Sequence, residues 1–133
     1  MEKRLQKVMN HPLHRYLGVT AIQSESGRGE LSIPLTENVV NPNGVFHGGV
    51  IYILCDVCAY GGLLSLMDES TEAVSHDIHV SVMRAAMLGD MVTFTSEVVK
   101  MGKSLCFIDV RVTSSAGIIA SARVTKSLLS VKS

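Results

Sequence analysis

The sequence predicts an α+β fold in which a curved antiparallel sheet wraps around one long central helix. Three observations lead there. A single helix-length apolar run spans 50–67, four later segments (76–84, 91–100, 104–114 and 117–130) alternate or carry β-branched residues, and a turn signal separates each pair of them. A helix apolar on every side must be buried on every side, and the sheet that follows it is the surface available to bury it. The chain has 133 residues, enough for one domain, 1–133, that buries about two thirds of its unfolded surface.

The remaining elements follow in order. Residues 2–9 and 12–16 read as short helices, making 1–16 an N-terminal helical segment. Segments 17–24 and 27–35 read as strands around a Ser26-Gly27-Arg28-Gly29 turn, and 36–45 is a long loop into the central helix. Beyond the helix, the strand from His76 to Arg84 sets Ile78, Val80 and Val82 on one face. Turns at Leu88-Gly89-Asp90, Met101-Gly102-Lys103 and Ser114-Ser115-Ala116-Gly117 then divide a meander of antiparallel strands. There is no internal repeat and no low-complexity segment.

Charge removes several classes of function. Twelve basic and twelve acidic residues give a net charge of zero with no basic run, which argues against nucleic acid as a partner. The first residues, MEKRLQKVMNHPLHRYLG, are charged and amphipathic rather than the apolar core of a signal peptide, so a soluble cytoplasmic protein is expected. The run 50–67 is at the lower length limit of a membrane span and carries Asp56 and a Gly61-Gly62 pair, so burial under a sheet accounts for it better than a membrane does. Cys55 and Cys58 spell CxxC inside that helix, with Cys106 the remaining cysteine. Redox pairs sit at exposed helix starts and zinc takes four ligands, so these are read as free core thiols. His76 and His79 face opposite sides of a strand and the His11/His14 pair lacks a third ligand, so no metal is expected.

Asp56 is the residue that demands a reason. An ionised carboxylate within a buried helix costs several kcal/mol unless it is paired, a situation that marks acid, base and nucleophile positions. A structural Asp bonded to backbone or to Ser65 is the plain alternative. Removing Asp56 is expected to relieve a buried charge and so to leave the fold intact or raise its stability. The start of the same helix supplies complementary chemistry. After the turn residues Asn41-Pro42-Asn43-Gly44 come His47-Gly48-Gly49, where the first amides of a helix lack carbonyl partners and the dipole adds positive potential. Glycine at 48 and 49 lets a substrate carbonyl approach the backbone, as an oxyanion site requires; the alternative is that the two glycines let a strand pack close. His47 and Asp56 are nine positions apart, about 13 Å along a helix and on opposite faces. One helix cannot bring them to one substrate atom. If they share a reaction, the site joins two copies of the chain, as antiparallel helices in a two-fold dimer allow.

The run NxxGxxHGGxxxxxxD at 41–56, the strand AVSHDIHVSVMRAAMLGD and the closing GKSLCFIDVRVTSSAGIIASARVT resemble the hotdog-fold acyl-CoA thioesterases of the phenylacetic-acid-degradation (PaaI-like) and thioesterase-superfamily-member-2 type. The likeness covers roughly 18–129. It implies the hotdog fold and sites shared between protomers of a homodimer or dimer-of-dimers tetramer. It also implies that Asp56 acts as nucleophile or general base and that the Gly48 amide polarises the thioester carbonyl. By position, the family's asparagine falls on Asn41 and its serine on Ser75, which would position water or the intermediate. His47 would order the helix start or the sulfur side. MRAA departs from the Arg-Pro-Ala of many relatives at Ala85.

On this reading the partner is an acyl-CoA small molecule, coenzyme A being part of the substrate, and no cofactor is needed. Tyr60, one turn beyond Asp56, would wall the acyl pocket or bond the carboxylate, with plain core packing as the alternative. The phosphates of coenzyme A call for basic residues near the pocket mouth, and Arg84, Lys100 and Lys103 are the candidates, each also explicable as a solvated surface charge. The expected activity is hydrolysis of small or medium aryl- or acyl-CoA thioesters. Two alternatives are an enoyl-CoA hydratase-like enzyme and a non-catalytic acyl-CoA-binding or regulatory module. Asp56 speaks against the last, since an apolar binder gains nothing by burying a carboxylate.

Overall fold

The computed structural model describes residues 1–131. Helices α1 (Glu2–Met9) and α2 (Pro12–Tyr16) precede a hairpin of β1 (Gln23–Glu25) and β2 (Arg28–Pro34). The long helix α3 (Gly48–Leu63) comes next, followed by β3 (Thr71–Val82), β4 (Met91–Met101), β5 (Leu105–Ser114) and β6 (Gly117–Ser130). All pairings are antiparallel, in one six-stranded sheet of order β1-β2-β4-β5-β6-β3, and α3 packs against every strand of it. This is the hotdog arrangement, a curved sheet around a central helix.

Only β4-β5-β6 is a simple meander. β3 lies at the far edge beside β6, while β2 reaches past α3 to pair with β4. Alternation in a sequence marks which segments are strands, not which strands they pair with. The expected strand at 17–24 shrinks to Gln23–Glu25. Leu17, Val19 and Ile22 are buried, but Gly18 sits at φ 101° and the Val19 amide donates back to the His14 carbonyl. The segment therefore closes α2 instead of joining the sheet.

β3 begins at Thr71 rather than His76, because residues 71–75 pair with 126–130 ahead of a bulge that breaks the alternation. Ser75 pairs with Lys126 and Asp77 with Thr125, leaving His76 outside the ladder. One extra residue flips the facing of all residues before it. Ala73 and Ser75 therefore share the helix-side face with Ile78 and Val80, although strict alternation would place them on opposite faces.

The apolar stretch Gly48–Leu66 has the length and composition of a membrane span, yet more than half of it is buried inside the fold. Burial is not complete, which corrects the expectation from the helix sequence. Gly49, Tyr52, Ile53, Asp56 and Tyr60 form a partly open stripe on the side facing β3, where the Tyr52 hydroxyl donates to the Ile78 carbonyl at 2.6 Å. On the opposite side the backbones touch. A Cβ on Gly62 would lie 2.7 Å from the Gly29 nitrogen, and one on Gly29 would lie 2.8 Å from the Cys58 carbonyl oxygen. Both glycines are thus required for α3 to sit on β2.

Candidate active site

The start of α3 is built by a tight loop. Asn41 spends its side-chain oxygen on the amides of Asn43 (2.9 Å) and Val45 (3.1 Å), an Asx turn that aims the chain into the helix. The His47 amide then donates to the Val39 carbonyl at 2.8 Å, and His47 caps α3 by accepting from the Gly49 amide at its Nδ1, 2.9 Å away. The amides of Val50 and Ile51 both go to the His47 carbonyl. Of the first amides of the helix, that of Gly48 alone finds no acceptor among the described residues. The expectation of several free amides thus narrows to one. A Cβ on Gly48 would meet nothing within 4 Å, so packing within the chain does not require glycine there.

Asp56 lies two turns further along α3, with its side chain 33 % exposed. Its Oδ1 accepts from the Ser75 hydroxyl at 2.7 Å and from the Lys126 ammonium at 2.7 Å. Lys126 also donates to Ser75 Oγ at 3.0 Å, closing a triangle of three side chains from α3, β3 and β6. Ser75 and Lys126 are direct partners in the β3–β6 ladder, and the bulge at His76 is what turns Ser75 toward the helix. The Lys126 side chain is only 3 % exposed. A buried ammonium costs several kcal/mol unless paired, so Asp56 and Lys126 account for each other's presence. Lys126 escaped the sequence reading, although a signal was there. Ala120, Ala122 and Val124 alternate on the buried face of β6, and the next position in that rhythm is a lysine.

Tyr60 does not bond Asp56. Its hydroxyl donates to Glu72 Oε1 at 2.5 Å, while its ring faces the Lys126 ammonium, 5.5 Å from the centroid. Burial, reinforced by the Glu72 carboxylate, pushes the phenol well above its ordinary value. Arg4 holds α1 in place by donating to the carbonyls of Asp68, Glu69 and Thr71. The N-terminal segment thereby walls a cavity of about 370 Å³, in which Lys7, Val8, His11 and His14 face Asp56, Tyr60, Ser75 and Lys126. No pattern in the sequence marks Lys7 and Val8 as pocket residues, and the two histidines stand out there only as a metal pair.

The site residues thus fall into two groups. Asp56, Ser75 and Tyr60 share one cavity with Lys126. Asn41, His47, Gly48 and Gly49 gather at the other end of α3, with Gly48 about 12 Å from Asp56 along the axis. Arg84 belongs to this second end, because the Phe46 amide donates to the Ala86 carbonyl, and its own guanidinium is tied to the Ala116 carbonyl. Lys100 and Lys103 are exposed beside the β4–β5 turn, at the end of the sheet where Cys106 pairs with Lys126. Neither lysine lines the Asp56 cavity.

A carboxylate held by a serine and a lysine in a cavity, and a helix-start amide left without an acceptor among the described residues, are groups of the kinds that acyl transfer to water uses. The thioesterase superfamily profile matches residues 43–121, which contain Gly48, Asp56 and Ser75. The chain belongs to the thioesterase superfamily. Human acyl-coenzyme A thioesterase 13 is 32% identical over 129 residues, covering 95% of this chain and 90% of that protein. Among solved structures, a thioesterase from Haemophilus influenzae superposes with a TM-score of 0.86 at 20% identity, covering 100% of this chain and 93% of the other. A Streptococcus mutans protein bound to acetyl CoA superposes with a TM-score of 0.76 at 22% identity, covering 87% and 90%. This thioester hydrolase therefore has the hotdog fold of its structural neighbours, with Asp56 on the central helix as its sequence motif implied.

Proposed function

We propose that the protein hydrolyses acyl-CoA thioesters with small or medium acyl or aryl groups, at a site completed by a second copy of the chain. The observation that carries this reading is the Asp56 carboxylate, held by Ser75 and open to a 370 Å³ cavity, a volume that suits a small acyl group. In the proposed reaction the thioester carbonyl oxygen accepts from the Gly48 amide of the other copy. Either Asp56 deprotonates a water whose oxygen attacks the carbonyl carbon, or its own oxygen attacks and the mixed anhydride so formed is then hydrolysed by water, which regenerates the carboxylate. The carbon–sulfur bond breaks, coenzyme A leaves as the thiol, and the acyl group departs as a carboxylic acid. His47 fixes the amide through its cap on Gly49, Asn41 fixes the loop, and Ser75 holds the carboxylate.

Two features support a homodimer or a dimer of dimers. One chain separates Gly48 from Asp56, and β3 leaves a twelve-residue edge open at the end of the sheet, where Val74 and Val82 are exposed. Arg84, Lys100 and Lys103 supply positive charge at the two ends of α3, which such a pairing would bring together around the coenzyme A phosphates. The likeness to an acyl-coenzyme A thioesterase and to a protein bound to acetyl CoA supports the same ligand here. A cytoplasmic location, where acyl-CoA is made and used, belongs to this proposal.

A thiol-release assay across a panel of alkyl- and aryl-CoA esters tests the reading. Turnover of one class well above the others, abolished in Asp56→Asn, is the expected result. Binding of the same esters without thiol release would favour a non-catalytic acyl-CoA module instead.

A further inference from the structure

We propose that Lys126 is a positioning residue of the hydrolysis, one that with Ser75 saturates Oδ1 of Asp56 and so makes Oδ2 the oxygen presented to the thioester. The inference rests on the thioesterase reading of the site and adds to it which carboxylate oxygen reacts and what selects it.

Three observations carry it. First, the two oxygens of Asp56 are unequal. Oδ1 receives both the Ser75 hydroxyl and the Lys126 ammonium at 2.7 Å, whereas Oδ2 has no hydrogen-bond partner among the described residues. Second, burial divides the pair into a supporting and an acting member, with Lys126 only 3 % exposed and Asp56 33 % exposed toward the cavity. Third, Lys126 is fixed independently of Asp56. It stands opposite Ser75 in the β3–β6 ladder, donates to Ser75 Oγ at 3.0 Å and lies 5.5 Å from the centre of the Tyr60 ring.

An aspartate on a helix can turn about two side-chain torsions, and a carboxylate with one donor can exchange its oxygens by a half-turn. Two donors converging from β3 and β6 on one oxygen remove that freedom and hold the other oxygen at a constant place in the cavity. Gly48 of a second copy can then fix the thioester carbonyl against a stationary nucleophile or base. Lys126 borders the same cavity, but it is only 3 % exposed and its ammonium is engaged by Asp56 and Ser75, so its effect falls on the reacting geometry more than on substrate affinity.

The test compares Lys126→Met, Lys126→Ala and Lys126→Arg with the unaltered protein as its natural oligomer. On the best CoA ester, Lys126→Met is expected to lower kcat by about 10- to 100-fold while KM moves by less than about threefold. Methylammonium should restore at least about tenfold of the loss in Lys126→Ala, by refilling the vacated site with a cation, and methanol should not. The arginine variant should not recover, because the planar guanidinium does not fit a site shaped for an ammonium between Ser75 and the Tyr60 ring. In the Asp56→Asn background, Lys126→Met should cause no further loss. If Lys126→Met does not fold, Lys126→Arg, which keeps the charge opposite Asp56, carries the kcat and crystallographic comparison.

A crystal structure of Lys126→Met is the readout that does not depend on turnover. The Asp56 carboxylate should rotate or occupy two orientations there. Undiminished kcat in a folded Lys126→Met would overturn the inference, as would a loss confined to KM or an Asp56 carboxylate left in its original orientation. If the unaltered protein releases no thiol from any ester, the thioesterase reading is what fails, and the orientation of Asp56 in that crystal structure alone decides whether Lys126 positions it.

Discussion

His47 Nδ1 accepts from the Gly49 amide at 2.9 Å, and this single bond decides which backbone N–H of the helix start is available to a substrate. With Gly49 capped and Val50 bonded to the His47 carbonyl, the amide left for the proposed oxyanion is that of Gly48. Proline fits position 48 for three reasons. It is the first residue of α3, His47 before it is already extended at φ −67° and ψ 126°, and the space around a Gly48 side chain is empty. Gly48→Pro therefore deletes the amide hydrogen while leaving the helix intact. Neither Gly48→Pro nor Asp56→Ala should turn over substrate alone. Co-assembled heterodimers hold one intact composite site and one doubly damaged site, so mixing should recover activity that neither parent shows. No recovery, with heterodimers verified by native mass spectrometry, would mean that the two residues do not serve one reaction across an interface.

Asp56→Ala and Asp56→Asn should each lower kcat by about 10²-fold or more, because the attacking oxygen or its base is lost. Their stabilities should separate. The expectation that removing Asp56 relieves a buried charge is reversed by its pairing with Lys126. Because the lysine side chain is 3 % exposed, alanine strands an ammonium, and breaking such a pair costs about 3–5 kcal/mol. Asparagine keeps an oxygen for the ammonium and should lose less. Chemical denaturation of the two variants checks the order, and an Asp56→Ala protein as stable as the parent would show that the ion pair contributes no stability.

What the sequence hides here is tertiary. The central helix, its glycine start and the lone carboxylate are local signals, legible from periodicity, turn residues and the cost of burying charge, whereas the His47 cap on Gly49 appears only in the structure. The bulge at His76 is not legible, since one extra residue in a strand has no compositional mark, and it alone puts Ser75 on the face of Asp56. Lys126 is legible only as an interruption of the Ala120, Ala122, Val124 rhythm. Its partner is 70 positions away, and strand order, which alternation does not encode, is what joins them. Tyr60 illustrates the same limit. Helical spacing placed it beside Asp56, but its hydroxyl found Glu72 across a turn of the chain.

Ser75 contributes one hydrogen bond to Oδ1 of Asp56 and leaves the Lys126 bond in place. Ser75→Ala should therefore cost less than loss of the carboxylate, on the order of 1–3 kcal/mol in transition-state stabilisation, as for one bond to a charged partner. Steady-state kcat/KM on the preferred ester measures this directly. A loss as deep as that of Asp56→Ala, or an acyl group trapped on Ser75 and detected by mass spectrometry, would make the serine the nucleophile.

The cysteines make a prediction about alkaline pH. Cys55, Cys58 and Cys106 are free and buried. Burial pushes Cys55 from 9.0 up to about 12, helped by Cys58 and Asp56 nearby, and it pushes Cys58 from 9.0 up to about 12, against the hydrogen bond from Ser96. Below pH 9 folded and unfolded chains both keep these protons, and the thiols give stability no pH dependence. Between 9 and about 12 the unfolded chain releases protons that the folded one retains, so stability must fall as pH rises through that window. The denaturant midpoint should decline steadily above pH 9, and less steeply in Cys55→Ala/Cys58→Ala, whose lost packing lowers the whole curve without adding slope. Buried neutral thiols should also be silent toward a disulfide reagent at pH 8 until the protein opens. Rapid labelling of either helix cysteine in the native protein would show that the helix-side core of α3 is accessible and would remove the basis for the alkaline prediction.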